Sequence, residues 1–140
     1  MDIVGSFALS ISDINLDFKE IEDNFPIKPS KIIRKGEMIG KLKNIEAPYD
    51  IWSFEVAIVD YENIFKDLSS MLDDLLPYCK FIKDAGSRYE NVIINCYFRS
   101  EYGQMGFRLS NEIIKKLEKV GLSLDFHILS FGAVGTIGNE

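Results

Sequence analysis

The stretch DIWSFEVAIV, Asp50 to Val59, sets Trp52, Phe54, Val56 and Ile58 on one side of an extended chain and Ser53, Glu55 and Ala57 on the other. A period of two with apolar residues on one side only is the pattern of a half-buried strand. The same alternation returns later. Val92, Ile94, Cys96 and Phe98 alternate with Asn95, Tyr97 and Arg99, and Leu124, Phe126 and Ile128 alternate with Asp125 and His127. A sheet made of such strands offers an apolar face to a layer of helices and leaves a polar face to water or a partner.

Working outward, Phe7, Leu9 and Ile11 alternate with Ser6, Ala8 and Ser10, which predicts a first strand over Ile3 to Ser12 with small residues on its outer side. Asp17-Phe18-Lys19-Glu20 has the form of a capping box, and Phe18, Ile21 and Phe25 follow at helical spacing until Pro26. Lys31 to Arg34 predicts a second strand, closed by a turn at Lys35-Gly36-Glu37. Residues 38–49 show no sustained period and read as an irregular connection or a weak extra strand.

From Tyr61 to Leu76 the apolar residues recur at steps of three and four, the strongest helical pattern in the chain. Pro77 must break or kink that helix, and can open a second short one carrying Cys79, Phe81 and Ile82 and ending near Gly86. Residues 91–99 and 104–109 predict a hairpin. Ser110 then caps a helix with Ile113, Ile114, Leu117 and Val120 inward and Gly121 just beyond, and Leu122 to Leu129 is the last strand. The fold expected is α+β: a mostly antiparallel sheet covered on one face by helices, with a ferredoxin-like βαββαβ core and an appended βαβ. Residues 1–131 form a single domain and 132–140 a flexible C-terminal tail.

With 140 residues, a chain of this kind buries about two thirds of its unfolded surface without needing metal or disulfide. A 46% apolar share and a formal charge of −6 describe a folded, acidic domain. Nucleic acid is excluded as a partner, because phosphate neutralisation needs clustered Lys and Arg. The one basic group, Lys28, Lys31, Arg34, Lys35, Lys41 and Lys43, is diluted by Glu37 and Glu46 and has no interleaved aromatics. Neither a leader peptide nor an apolar membrane span is written in the chain, so the cytoplasm is the expected address. Cys79 and Cys96, each among apolar neighbours, read as reduced packing residues.

The run from Phe18-Lys19-Glu20-Ile21 through Pro26 and Lys35-Gly36-Glu37 to Trp52 resembles the front half of the bacterial domain-of-unknown-function 4279 family. The Leu-rich helix, Leu109-Ser110-Asn111-Glu112-Ile113-Ile114 and Leu124-Asp125-Phe126-His127-Ile128 are similar in order and spacing to the rear half. The chain departs from the family at Met38 to Pro48 and in its short tail after Leu129. The resemblance implies an α+β fold, a bacterial source and, for some members, a role as immunity proteins beside toxin genes. It carries no agreed catalytic residues.

On alternation alone, Glu55, Asn95, Tyr97, Arg99, Arg108, Asp125 and His127 share the polar face of the sheet. This constellation reads first as a solvated or self-paired face and next as a partner-binding surface. Catalysis comes last, because His127 and Asp125 lack a nucleophile and an oxyanion hole beside them. A second candidate surface is acidic: Asp13, Asp17, Glu20, Asp73 and Asp74. No catalytic residue, metal ligand set or cofactor is expected, since the chain has a single His and no phosphate loop in a strand-loop-helix context. These residues point to a protein-binding domain, most specifically an immunity protein whose acids meet a basic toxin domain. A small-molecule module using the same face, or a subunit that self-associates into a homo-oligomer through an edge strand, are the alternatives.

Overall fold

The computed structural model describes residues 3–103 and 105–133. The elements are β1 (Ile3–Asp13), α1 (Phe18–Asn24), β2 (Lys31–Ile33), β3 (Met38–Ile39), β4 (Ile45–Glu46), β5 (Asp50–Ala57), α2 (Lys66–Leu75), α3 (Cys79–Arg88), β6 (Asn91–Tyr102), α4 (Asn111–Val120) and β7 (Leu124–Ala133). Five strands form one sheet in the order β2-β5-β1-β6-β7, antiparallel throughout except for the parallel pair β6 and β7. The fold is α+β, a mostly antiparallel sheet with its helices on one face, as the alternating strands predict.

The inward rows meet in register. Phe7 lies opposite Val56 and Cys96, Leu9 opposite Phe54 and Ile94, and Ile11 opposite Trp52 and Val92. The helices bring Ile21, Leu68, Met71, Leu72, Leu75, Ile82, Ile113, Leu117 and Val120 onto that face, and all of these side chains are buried in one cluster. Phe25, at the end of α1, packs on Trp52, Tyr78 and Phe81 with ring centroids 5.4 to 5.7 Å apart. Each such pair adds about 1 kcal/mol beyond the area it buries. Trp52 is thus the core anchor its alternation indicated.

Helix ends obey local chemistry. Asp17 caps α1 by accepting the Glu20 N–H at 3.0 Å, but the reciprocal half of the capping box is not made: the Glu20 carboxylate accepts bonds from Arg88 and Tyr89 instead. α2 begins at Lys66 rather than Tyr61, because Asp60 turns the chain by accepting the N–H groups of Glu62 and Asn63. Pro77 sits in a single 3₁₀ turn over Leu76–Tyr78 and passes the chain into α3, which runs on to Arg88. Ser110 caps α4, and Gly121 closes it with φ +87, a left-handed conformation that favours glycine. Residues 38–46 make a two-residue ladder, β3 against β4, apart from the main sheet.

The hairpin expected between residues 91–99 and 104–109 is not formed. β6 runs on to Tyr102, and residues 105–110 carry no strand. Phe107 explains the difference. Its ring packs against Phe65, Phe98 and Phe126 at 5.1 to 5.8 Å, with Met105 and Leu109 also against the core, so the segment spends its apolar residues on the rim of the helical layer. The chain therefore leaves β6 through a single α-β unit, and β7 returns parallel to β6. Of the expected tail, Gly132 and Ala133 belong to β7, and 134–140 lie outside the described residues.

Candidate functional site: the outer face of the sheet

The sheet face away from the helices is built by cross-strand rows. One row runs Ala57, Ser6, Tyr97, His127, and the next Glu55, Ala8, Asn95, Asp125. Along the central strand β1 the outward residues are small, Ser6, Ala8 and Ser10, while β5 and β6 on either side carry Glu55, Asn95 and Tyr97. The result is a shallow trough along β1 with taller walls. Ala8 and Ser6 are buried, although the described helices pack on the opposite face.

Tyr97 and His127 stack face to face, ring centroids 4.9 Å apart and 23° from parallel. His127 Nε2 lies 2.9 Å from Asn95 Oδ1, so the imidazole is bound to the neighbouring strand and not to Asp125 on its own. Asp125 and His127 do not bond each other, because side chains two apart on a strand stand parallel. On the opposite wall the Ser6 hydroxyl donates to Glu55 Oε2. Partial burial, and secondarily the Glu55 carboxylate, raise the Tyr97 phenol above its ordinary range. Tyr97 nonetheless leaves 41% of its surface in water.

Six of the seven residues expected on this face lie on it: Glu55, Asn95, Tyr97, Arg99, Asp125 and His127. Arg108 does not. The missing hairpin strand leaves it in the 105–110 segment, beside a small depression it lines with Asn63, Lys66, Ser69, Ser110 and Glu112. Ser6 is the member that alternation places in the row without singling it out. Its signal is the run of small outward residues on the first strand.

The five acidic candidates fall into two places and are mostly in structural use. Asp13 accepts the N–H groups of Asn15 and Glu90, Asp17 caps α1, and Glu20 bonds Arg88 at 2.8 Å and Tyr89 at 2.9 Å. Glu20, then Asp84, raise the Arg88 guanidinium further above its usual range, and Tyr89 is raised by burial and then by Glu20. Asp73, on α2, pairs with Lys116 at 2.9 Å, and Asp74 beside it is exposed. They form no continuous acidic surface.

A cleft of about 670 Å³ opens on another side, between α1, the 25–30 segment and β2. Phe18, Phe25, Ile27, Ile32 and Trp52 supply its apolar lining, with Pro26 and Pro29, and Lys19, Glu22, Lys28 and Arg34 its charged lining. The Arg34 guanidinium lies 4.6 Å from the Phe18 ring centroid, a cation-π contact.

Among the described residues no cluster of His, Cys, Asp and Glu has a metal-binding arrangement, and no helix is long and apolar enough to cross a membrane. Both cysteines are free thiols, Cys96 buried and Cys79 half-buried. Burial, with a smaller push from Asp125, raises the Cys96 thiol to about 12.

No curated protein and no solved structure matches the chain. Residues 4–131, nearly all of it, match the family described as Domain of unknown function (DUF4279), and the chain belongs to that family.

Proposed function

We propose that the protein is a binding domain that acts by occupying another protein through the outer face of its sheet, and most specifically a bacterial immunity protein that neutralises a basic toxin domain in the cytoplasm. One observation carries this reading. The described helices all pack on the inner face, and on the outer face Glu55, Tyr97, Arg99, Asp125 and His127 are exposed, with Asn95 half-buried beside the Tyr97 and His127 stack. Aromatic and Arg side chains on a rigid sheet are the usual anchors of binding energy, because little entropy is lost when they are covered. The −6 charge supports a cationic partner through faster encounter, although most of the expected acids are held in caps and ion pairs. The test is protection: the chain is co-expressed with each effector encoded beside its gene. Rescue of growth by the wild type and not by Tyr97→Ala supports the reading, and no rescue from any adjacent effector sinks it.

A second reading rests on the cleft at Phe18, Ile32 and Trp52. Its size and apolar lining suit a small molecule, and its cationic side chains an anionic group. Trp52 is the only tryptophan, so its emission reports on that lining. A saturable change on titrating decanoate, abolished by Arg34→Glu, favours the small-molecule module. A flat titration removes it.

A further inference from the structure

The two edges of the sheet are managed differently. β2 is three residues long, preceded by Pro29 and Ser30 and followed by Arg34 and Lys35, all of which discourage further pairing. β7 is ten residues long and contains no Lys, Arg or Pro. Among the described residues only β6 pairs with it. Ile128 and Leu129 near its middle are 49% and 53% exposed. From Leu124 to Ser130 β7 keeps an unbroken register with β6, the one irregularity falling between Ser130 and Ala133, and a stretch of edge with no partner among the described residues is a template for another strand.

We infer that β7 is the interface of a two-fold homodimer in which two copies pair antiparallel, Phe126 against Phe126, extending the sheet to ten strands. The hydrogen-bond parity of β7 limits the choice of register. In a parallel ladder the backbone groups of alternate residues point to the neighbour. Ile94 N–H donates to Ser123 O at 3.1 Å, and Ile94 lies opposite Leu124, so the odd-numbered residues of β7 turn their N–H and C=O groups toward β6. Leu124, Phe126 and Ile128 turn theirs to the open edge. Even-numbered residues of one copy must then face even-numbered residues of the other, so the two-fold axis passes through a residue position and not between two.

Charge selects among these registers. With the axis at Phe126, Leu124 faces Ile128 on the inner side, and on the outer side Asp125 of each copy faces His127 of the other. The two Asp125 and His127 pairs fall at non-hydrogen-bonded positions, the closely spaced kind at about 4.5 Å between Cα atoms. An axis at Asp125 would set two acids against each other. At His127 it would leave Asp125 facing Leu129, and at Ile128 it would leave His127 facing Leu129. Asp125 and His127 are the only charged or titratable side chains on β7, and both are exposed. Asn95 holds the His127 ring and Tyr97 stacks on it, so the imidazole is already oriented before a second copy arrives. The inference goes beyond the partner reading, since it concerns the protein alone.

Sedimentation velocity of the isolated protein across a wide concentration range tests it. The expected result is a reversible dimer with a dissociation constant on the order of 10 µM, as a one-strand interface allows. Ile128→Pro removes an N–H that points to the open edge and spares the β6 ladder, so it is expected to be folded and monomeric. His127→Asp sets two acids opposite each other and weakens the dimer roughly tenfold or more. Combining it with Asp125→His swaps the pair and restores association, which only the Phe126-centred register predicts. A wild-type monomer at all concentrations overturns the inference, as does a dimer that His127→Asp leaves unchanged. Neither result bears on the toxin-binding reading, whose test needs a second protein.

Discussion

Asp50 holds Leu16: the carboxylate at the start of β5 accepts the Leu16 N–H through Oδ2 at 3.0 Å, and through Oδ1 it accepts the Lys35 N–H at 2.7 Å. Asp50 is nearly buried and pairs in register with Asp13 at the end of β1. One side chain therefore ties the β1 to α1 connection and the turn after β2 to the same corner of the sheet. Asp50→Ala leaves two amide donors unpaired and is expected to destabilise the fold by about 3 kcal/mol. Asp50→Asn keeps one acceptor and should cost about half as much. Urea unfolding of the three proteins checks the order, and equal stability would remove Asp50 from this role.

Gly5 is fixed by a close approach. It lies opposite Phe98 across the β1 and β6 ladder, and a Cβ built on it would stand 1.7 Å from the Tyr97 carbonyl oxygen. Backbone cannot swing aside as a side chain can. Gly5→Ala is expected to cost at least about 3 kcal/mol, or to prevent folding. Gly86→Ala, where a Cβ meets nothing within 4 Å on a helix, should be neutral or stabilising by up to about 1 kcal/mol. Melting temperatures of the pair decide it.

Cys96 links pH to stability. Its thiol is raised by burial to about 12 in the folded chain, against about 8.5 unfolded. The folded state thus keeps a proton that the unfolded state releases. The contribution is fully present below about pH 8.5 and is lost as pH rises through the folded value. Tyr97, also raised, acts in the same direction. Stability is expected to fall from about pH 9 upward, and less steeply in Cys96→Val. At pH 8, Cys79 should react with a thiol reagent in the native protein and Cys96 only on unfolding. Equal labelling rates would contradict this.

How far the residues alone reach depends on how local each signal is. The alternation at Trp52 and in residues 92–98 and 124–128 marks both faces of the sheet correctly, because period two is a property of the strand itself. The caps at Asp17 and Ser110 and the stop at Gly121 are legible for the same reason. The segment at 104–109 misleads because Phe107 and Leu109 alternate like a strand, while Phe107 spends its burial on Phe65, Phe98 and Phe126 and Leu109 packs against the core, contacts that a period of two does not announce. Arg108 leaves the outer face with it. The bonds Glu20 makes to Arg88, Asp50 to Leu16 and Ser6 to Glu55 join residues 34 to 68 apart, and no local pattern announces them.

Binding through the outer face is tested by capture with paired baits. Wild-type protein, Tyr97→Ala/His127→Ala and Asp73→Asn/Asp74→Asn are each immobilised and exposed to the same native extract, and the retained proteins are identified by mass spectrometry. The expected result is one basic protein, eluted by salt, held by the wild type and by the α2 variant and lost with the Tyr97 and His127 pair. The same protein retained by all three baits would contradict it.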